Sequence, residues 1–153
     1  MDTQNKQVRA SIDWSVDTLD GQEAPSLQTW EGHYGLILLF NQECLTCKTR
    51  ALPLLKQWTE YYPDLRTAAV HVQPGRKKTD AAEIQALAKN QALNFPVYVD
   101  RERDSYVNLQ AEGTPHWIML NPNGQIERSI FGSRPNALQR IDYFIRELYP
   151  ESL

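Results

Sequence analysis

Both cysteines of this 153-residue chain lie in one motif, Cys44-Leu45-Thr46-Cys47. The apolar run 36–40 precedes the motif and a helical pattern follows it, so the thiols are expected at a strand-to-helix junction. Unpaired backbone N–H groups and the positive end of a helix dipole favour thiolate over thiol there. With two residues between the cysteines, the second thiol can attack a mixed disulfide formed by the first. The spacing therefore predicts a redox-active dithiol.

The composition excludes several classes of partner. With 41% hydrophobic and 23% charged residues, the chain is expected to form one soluble domain with its own core. A net charge of -3 argues against nucleic acid and against an anionic membrane, because no basic excess exists to neutralise phosphates. The one basic cluster, Arg76-Lys77-Lys78, is interpreted as a solvated run. No apolar segment reaches signal-peptide or membrane-spanning length, which predicts no membrane insertion.

The cellular location is predicted only conditionally from the lack of an apolar segment of signal-peptide length. The sequence as it stands predicts a cytoplasmic protein, and removal of an N-terminal leader would make it extracytoplasmic. The sequence assigns no oligomeric state.

Apolar periodicity and turn residues predict alternating strands and helices. The expected elements are a small hairpin or extended arm over 12–30, strands at 36–40, 67–72 and 95–99, a helix after the cysteines, a helix capped by Asp80, a short helix at 105–109, a hairpin of 116–120 with 125–131 across Asn121-Pro122-Asn123-Gly124, and a last helix from about Pro135. This order is that of a parallel βαβ plan in an α/β domain. Residues 1–153 are expected to form a single domain with 1–11 as a flexible arm.

Pro53 lies inside the helix predicted after the cysteines. Proline removes a backbone hydrogen bond and kinks a helix. We therefore expect a first turn that carries the dithiol and a separate, longer segment that packs on the core.

Several motifs in order resemble the TlpA-like branch of the thioredoxin superfamily. They are Leu19-Asp20-Gly21, Gly35 before an apolar strand, Cys44-Leu45-Thr46-Cys47-Lys48, Phe95-Pro96-Val97, Gly113-Thr114-Pro115 and Asn121-Pro122-Asn123-Gly124. The resemblance spans roughly residues 12–148. It implies a thioredoxin fold, with a central mixed β-sheet flanked by helices, an N-terminal β-hairpin and an inserted helix around 80–90. It also implies thiol–disulfide exchange.

The resemblance implies roles for individual residues. Cys44 corresponds to the exposed, attacking cysteine and Cys47 to the buried, resolving one. Pro115 matches the cis-proline that lies against the dithiol, and an X–Pro bond reaches the cis form at little cost. The preceding Thr114 would then be free to pair its backbone with an extended substrate. Pro53 resembles the family's kink proline, although it lies six residues after the second cysteine, where five is usual.

Two departures from the family pattern bear on the thiol chemistry. Glu43 precedes the first cysteine, and its carboxylate is expected to raise the pKa of the Cys44 thiol. Leu38 stands where thioredoxins place a buried acid, so a general base must come from Glu43, His71, His116 or water. His116, directly after Pro115, is either a residue that tunes the dithiol or a hydrogen-bonded strand residue. His71 is interpreted as structural.

Two other classes of function remain open to the sequence. In a peroxiredoxin-like thiol peroxidase, one cysteine would be oxidised to a sulfenic acid and then pair with the other. The residues before Cys44 lack the proline and threonine that such sites use. In a metal-binding, copper-chaperone-like module, Cys44, Cys47 and a histidine such as His116 would hold copper or zinc. No Met-rich or His-rich segment supports this alternative.

The chain shows no flavin or nicotinamide fingerprint, so no cofactor is predicted. Electrons would be exchanged with disulfide- or dithiol-bearing proteins or with small thiols. The pair Leu45-Thr46 does not fix the direction of electron flow.

Overall fold

The structure is a computed structural model that describes residues 11–73 and 80–150. The basic cluster Arg76-Lys77-Lys78, the turn at Pro74-Gly75 and nearly all of the expected N-terminal arm lie outside the described residues.

The described chain forms one six-stranded mixed sheet. In chain order its strands are β1 (Val16–Asp17), β2 (Gly35–Phe40), β3 (Arg66–His71), β4 (Val97–Asp100), β5 (His116–Leu120) and β6 (Ile126–Phe131). Their order across the sheet is β1-β4-β3-β2-β5-β6. Strands β2, β3 and β4 run parallel, whereas β1, β5 and β6 pair antiparallel with their neighbours. The predicted mixed α/β sheet is confirmed.

Four α-helices join and flank these strands. They are α1 (Leu52–Tyr61), α2 (Ala81–Asn90), α3 (Asp104–Asn108) and α4 (Pro135–Leu148). A 3₁₀ helix covers Leu27–Trp30, and a π-helical turn covers Cys47–Ala51 directly before α1. The Asp80 side chain caps α2 as predicted, since it accepts a hydrogen bond from the Ala82 N–H at 3.0 Å.

Strand β2 is buried along its whole length, as its uninterrupted apolar sequence predicts. Its alternate residues Leu36, Leu38 and Phe40 lie in one core cluster together with Cys47 and apolar residues of α1, α2 and α4. Ile37 and Leu39 lie in a second cluster on the other side of the sheet. We call these two sides the dithiol face and the opposite face.

The N-terminal segment forms a small hairpin, as expected. Strand β1 adds two residues to the sheet beside β4, and a single bridge from Asp17 to Glu23 turns the chain back on itself. Residues 27–30 then form the 3₁₀ helix, whose first turn is capped by the Ser26 side chain. The predicted turn at Asn121–Gly124 does join β5 to β6, with a register shift between Met119 and Leu120.

Within residues 11–73 and 80–150, no helix combines the length and apolarity that crossing a bilayer requires.

Candidate functional site

The Cys44 sulfur lies at the start of the helical segment that follows β2. Helical backbone begins at Leu45, so Cys44 occupies the N-cap position. Its Sγ accepts a hydrogen bond from the Cys47 N–H at 3.2 Å. The Thr46 hydroxyl oxygen lies 3.5 Å from the same sulfur, and the thiol also reaches the Thr114 carbonyl oxygen at 3.7 Å. The helix start thus directs N–H and O–H groups at one half-buried sulfur.

These contacts outweigh burial in setting the pKa of Cys44. Desolvation alone would raise the pKa of this thiol, but hydrogen bonds with Cys47, Thr46 and Thr114 lower it below its ordinary value. The effect of the Glu43 carboxylate on the pKa of the Cys44 thiol stays a prediction. Glu43 is exposed, and its charge raises the pKa of His71.

The environment of the Cys47 thiol shifts its pKa in the opposite direction. Its side chain is fully buried in the core cluster of the dithiol face. Burial first, and then the hydrogen bond with Cys44, raise the pKa of Cys47 to about 12. Both cysteines are free thiols, so the structure represents the reduced pair.

The segment 113–115 lies against the dithiol, as predicted. The Thr114–Pro115 peptide bond is cis, and the Thr114 carbonyl is the group that the Cys44 thiol contacts. Pro115 is buried and its carbonyl oxygen accepts a hydrogen bond from the Gly132 N–H at 2.8 Å. The structure therefore brings four predicted site residues, Cys44, Cys47, Thr114 and Pro115, to one place.

A π-helical turn separates the dithiol from the packing helix. The Leu52 N–H donates to the Cys47 carbonyl, five residues back, and α1 then starts with Pro53 in its first turn. The freed Lys48 carbonyl accepts a hydrogen bond from the Gln91 side chain of α2 at 3.0 Å. A π turn holds one residue more than an α turn, which accounts for the unusual spacing between Cys47 and Pro53. The predicted division of the helix is confirmed.

No acidic side chain lies beneath Cys47 at the position of Leu38. Leu38 is fully buried between Ala69 of β3 and Trp117 of β5, in the same cluster as Cys47. Because Leu38 is apolar, β2 offers the Cys47 thiol no side-chain proton acceptor at this position.

His116 lies away from the dithiol. It alternates along β5 with Trp117, which belongs to the dithiol-face cluster, so the His116 ring is on the opposite face. Its Nε2 is 2.7 Å from the Ser129 hydroxyl, and its Nδ1 accepts from the Glu112 N–H at 3.3 Å. Burial lowers the pKa of His116. These contacts are those of a structural, hydrogen-bonded strand residue.

His71 lies on the dithiol face, two residues after Ala69 in β3. Its Nε2 accepts a hydrogen bond from the Gln42 N–H at 3.1 Å, and its ring packs edge-on against Phe40. Burial lowers the pKa of His71 to about 4, and the charge of Glu43 opposes that shift. The sequence offered His71 as one candidate general base and favoured a structural role. Its place at the carboxyl end of a buried parallel strand, where sites of such sheets form, was the available indication that it lies near the dithiol.

Among the described residues, no three His, Cys, Asp or Glu side chains gather as a metal site requires. The metal-binding alternative combined Cys44 and Cys47 with a histidine such as His116, and the Cys47 and His116 side chains lie on different faces of the sheet.

Comparison with proteins of known structure identifies the fold of this chain. No family model matches the chain, and no curated protein matches it in sequence. A solved thiol-disulfide isomerase from Corynebacterium glutamicum matches with a TM-score of 0.75 and 17% identity, over 88% of this chain and 94% of that one. A thioredoxin-like superfamily protein matches with a TM-score of 0.76 and 17% identity, over 90% and 96% of the two chains. The chain has a thioredoxin-like fold.

A third match is a secreted disulfide oxidoreductase from Mycobacterium tuberculosis, with a TM-score of 0.64 and 19% identity over 84% of this chain and 87% of that one. The predicted thioredoxin-like fold is thus confirmed. Identities this low establish the fold and leave the activity to be argued from the site.

Proposed function

We propose that this thioredoxin-like chain is a thiol–disulfide oxidoreductase whose reacting groups are Cys44 and Cys47. The observation that carries the proposal is the asymmetry of the pair. The Cys44 sulfur receives hydrogen bonds at a helix start, which lower its pKa, whereas Cys47 is buried with a pKa of about 12. The names of the structurally similar proteins are consistent with this activity.

In the first step, the Cys44 thiolate attacks one sulfur of a substrate disulfide. A mixed disulfide between Cys44 and the substrate forms, the substrate S–S bond breaks, and one substrate thiolate leaves. The hydrogen bond from the Cys47 N–H stabilises the attacking thiolate. Cys44 is the better placed of the two thiols for this step, since it is half-buried and Cys47 is fully buried.

In the second step, Cys47 loses its proton and attacks the Cys44 sulfur. The Cys44–Cys47 disulfide forms, and the second substrate thiolate leaves. Two electrons have then passed from the dithiol to the substrate, and the two protons of the dithiol end on the substrate thiols or in water. A further dithiol protein or small thiol returns two electrons and regenerates the pair. The same steps in reverse oxidise a dithiol substrate.

Thr114 and Pro115 are proposed to position the partner. The Thr114 carbonyl lies 3.7 Å from the Cys44 sulfur, so an extended chain that pairs with the Thr114 backbone would bring its disulfide to the attacking atom. The partners are proteins or small molecules with a disulfide or a dithiol.

Insulin reduction by dithiothreitol, followed as turbidity, tests this function. Wild type is expected to accelerate the reaction and Cys44→Ser to return it to the rate without protein. The thermal midpoint of Cys44→Ser verifies that the variant is folded. Equal rates for wild type and a folded Cys44→Ser would overturn the proposal.

A further inference from the structure

His71 contacts the segment that delivers Cys44 to the site. We call residues 41–44, between the end of β2 and the helical segment, the dithiol loop. The His71 side chain is 1% exposed, and its Nε2 accepts the Gln42 N–H of this loop at 3.1 Å. Its Nδ1 is buried and has no hydrogen-bond partner among the described residues.

The hydrogen bonding of these two nitrogens determines the protonation state of the His71 ring. A backbone N–H can only donate, so Nε2 must be the bare nitrogen of a neutral imidazole, and the proton resides on Nδ1. A buried N–H without an acceptor is costly. An apolar side chain would fill the position without that cost. The contact that distinguishes histidine from an apolar residue here is the one between Nε2 and the dithiol loop.

The hydrogen bonds of the loop show what this contact does. The Glu43 and Cys44 N–H groups turn back to Asn41, to its Oδ1 at 2.8 Å and its carbonyl oxygen at 3.0 Å. The Gln42 N–H instead leaves the loop and ends on His71 of β3. The Asn41 amide also binds the segment after β3, at the Val72 carbonyl at 2.8 Å. The loop is thus a compact turn attached to the end of β3.

On the proposed function, we propose that His71 is a positioning residue for the dithiol. Its Nε2 holds the Gln42 N–H and thereby fixes the dithiol loop, so that the Cys44 sulfur stays within reach of the Cys47 N–H and the Thr114 carbonyl. Without this anchor the loop moves relative to the helix start, and the thiolate loses part of its hydrogen bonding. Among the described residues, His71 makes no hydrogen bond with the Cys44 sulfur, so it acts through the loop.

Three substitutions of His71 distinguish the effect of its hydrogen-bond acceptor from the effect of its ring volume. In His71→Gln, the side-chain oxygen can take the place of Nε2 and accept from Gln42. In His71→Asn, the shorter amide reaches only the position of Nδ1, and in His71→Phe the ring volume stays while both nitrogens are lost. His116→Gln is the matched control, because it alters an equally buried, hydrogen-bonded histidine on the opposite face.

The readouts are the thiolate absorbance titration of the reduced protein and the alkylation rate of Cys44 by iodoacetamide well below its pKa. We expect about tenfold slower alkylation in His71→Asn and His71→Phe, as the loss of one buried hydrogen bond implies. His71→Gln is expected to stay within about twofold of wild type, and His116→Gln to lower thermal stability without moving the titration. Equal rates for His71→Phe and wild type would overturn the inference, as would equal losses in His71→Gln and His71→Phe.

Nitrogen NMR of the wild-type histidines tests the same inference without any variant. A neutral His71 with a protonated Nδ1 is expected, and a protonated Nε2 would overturn it. Neither readout measures disulfide exchange. A wild type inactive with insulin therefore overturns the proposed function, whereas an exchange-active protein whose Cys44 titration ignores His71 overturns this inference alone.

Discussion

Cys44 and Cys47 lie in one helical turn and share a hydrogen bond, yet their environments shift the thiol pKa in opposite directions. Cys44 is half-buried at a helix start, and its pKa is lowered by the groups that point at its sulfur. Cys47 is enclosed by the dithiol-face core, and its pKa is raised to about 12. Two cysteines three positions apart thus differ in acidity. Backbone N–H groups favour the thiolate of Cys44, whereas desolvation disfavours the thiolate of Cys47.

This difference predicts which cysteine forms a mixed disulfide, and that is the largest effect expected. Cys47→Ser keeps the nucleophile and loses the resolving thiol, so it should remain covalently attached to a peptide disulfide. Cys44→Ser should form almost no adduct under the same conditions. Intact-mass spectrometry after a short incubation near neutral pH measures both. Adducts of equal yield in the two variants would break the assigned asymmetry.

The pH dependence of the free energy of unfolding tests whether the buried His71 side chain is uncharged. Burial lowers the pKa of His71 to about 4 from an ordinary 6.5, so the unfolded chain binds the extra proton between these values. The free energy of unfolding should therefore fall as the pH drops from about 6.5 to about 4, by roughly 3 kcal/mol from this residue. Urea unfolding of wild type and His71→Phe measures the difference. The variant should have the flatter pH profile, and parallel profiles would contradict this account.

A smaller effect is expected from the hydroxyl of Thr46, 3.5 Å from the Cys44 sulfur. Thr46→Val keeps the side-chain shape and removes one hydrogen bond to the thiolate, so the pKa of Cys44 should rise. The thiolate fraction near neutral pH should fall about threefold. Thr49→Val is the control, because its hydroxyl bonds the Leu45 carbonyl in the same turn. Absorbance titrations that move equally in both variants would show that the hydroxyl contact is not the cause.

The smallest effect is expected from the residue that directly precedes Cys44. Glu43→Gln should lower the pKa of Cys44 only slightly, because Glu43 is exposed and solvent screens its charge. Removing that charge should lower the pKa of His71 further. Proton NMR of the histidine and alkylation of the thiol follow the two groups separately. An unchanged His71 titration, or slower alkylation of Cys44 in Glu43→Gln, would contradict these expectations.

Those features that depend on local pattern could be predicted from the sequence. The uninterrupted apolar run of β2, the Asp80 cap and the turn at 121–124 each follow from a few neighbouring residues. The ordered motifs, read as a resemblance, predicted the fold and the meeting of Cys44 with Thr114 and Pro115.

Features that depend on distant parts of the chain could not be predicted in the same way. The action of the Glu43 charge on His71 of β3 joins two residues that are far apart in sequence. The proposed anchoring role of His71 requires the register of β2 against β3, where Phe40 pairs with His71 and brings the Gln42 N–H to the ring Nε2. The sequence predicted a division of the helix at Pro53, and the structure shows that a π turn makes this division.

The most direct test of the central claim is a cysteine-resolved alkylation profile across pH, with each site quantified by peptide mass spectrometry on reduced wild-type protein. We predict that Cys44 is alkylated at pH values below the ordinary thiol pKa of 9.0, while Cys47 in the native fold stays unmodified until the pH approaches about 12. Profiles that coincide, or a Cys47 that reacts first, would contradict the account.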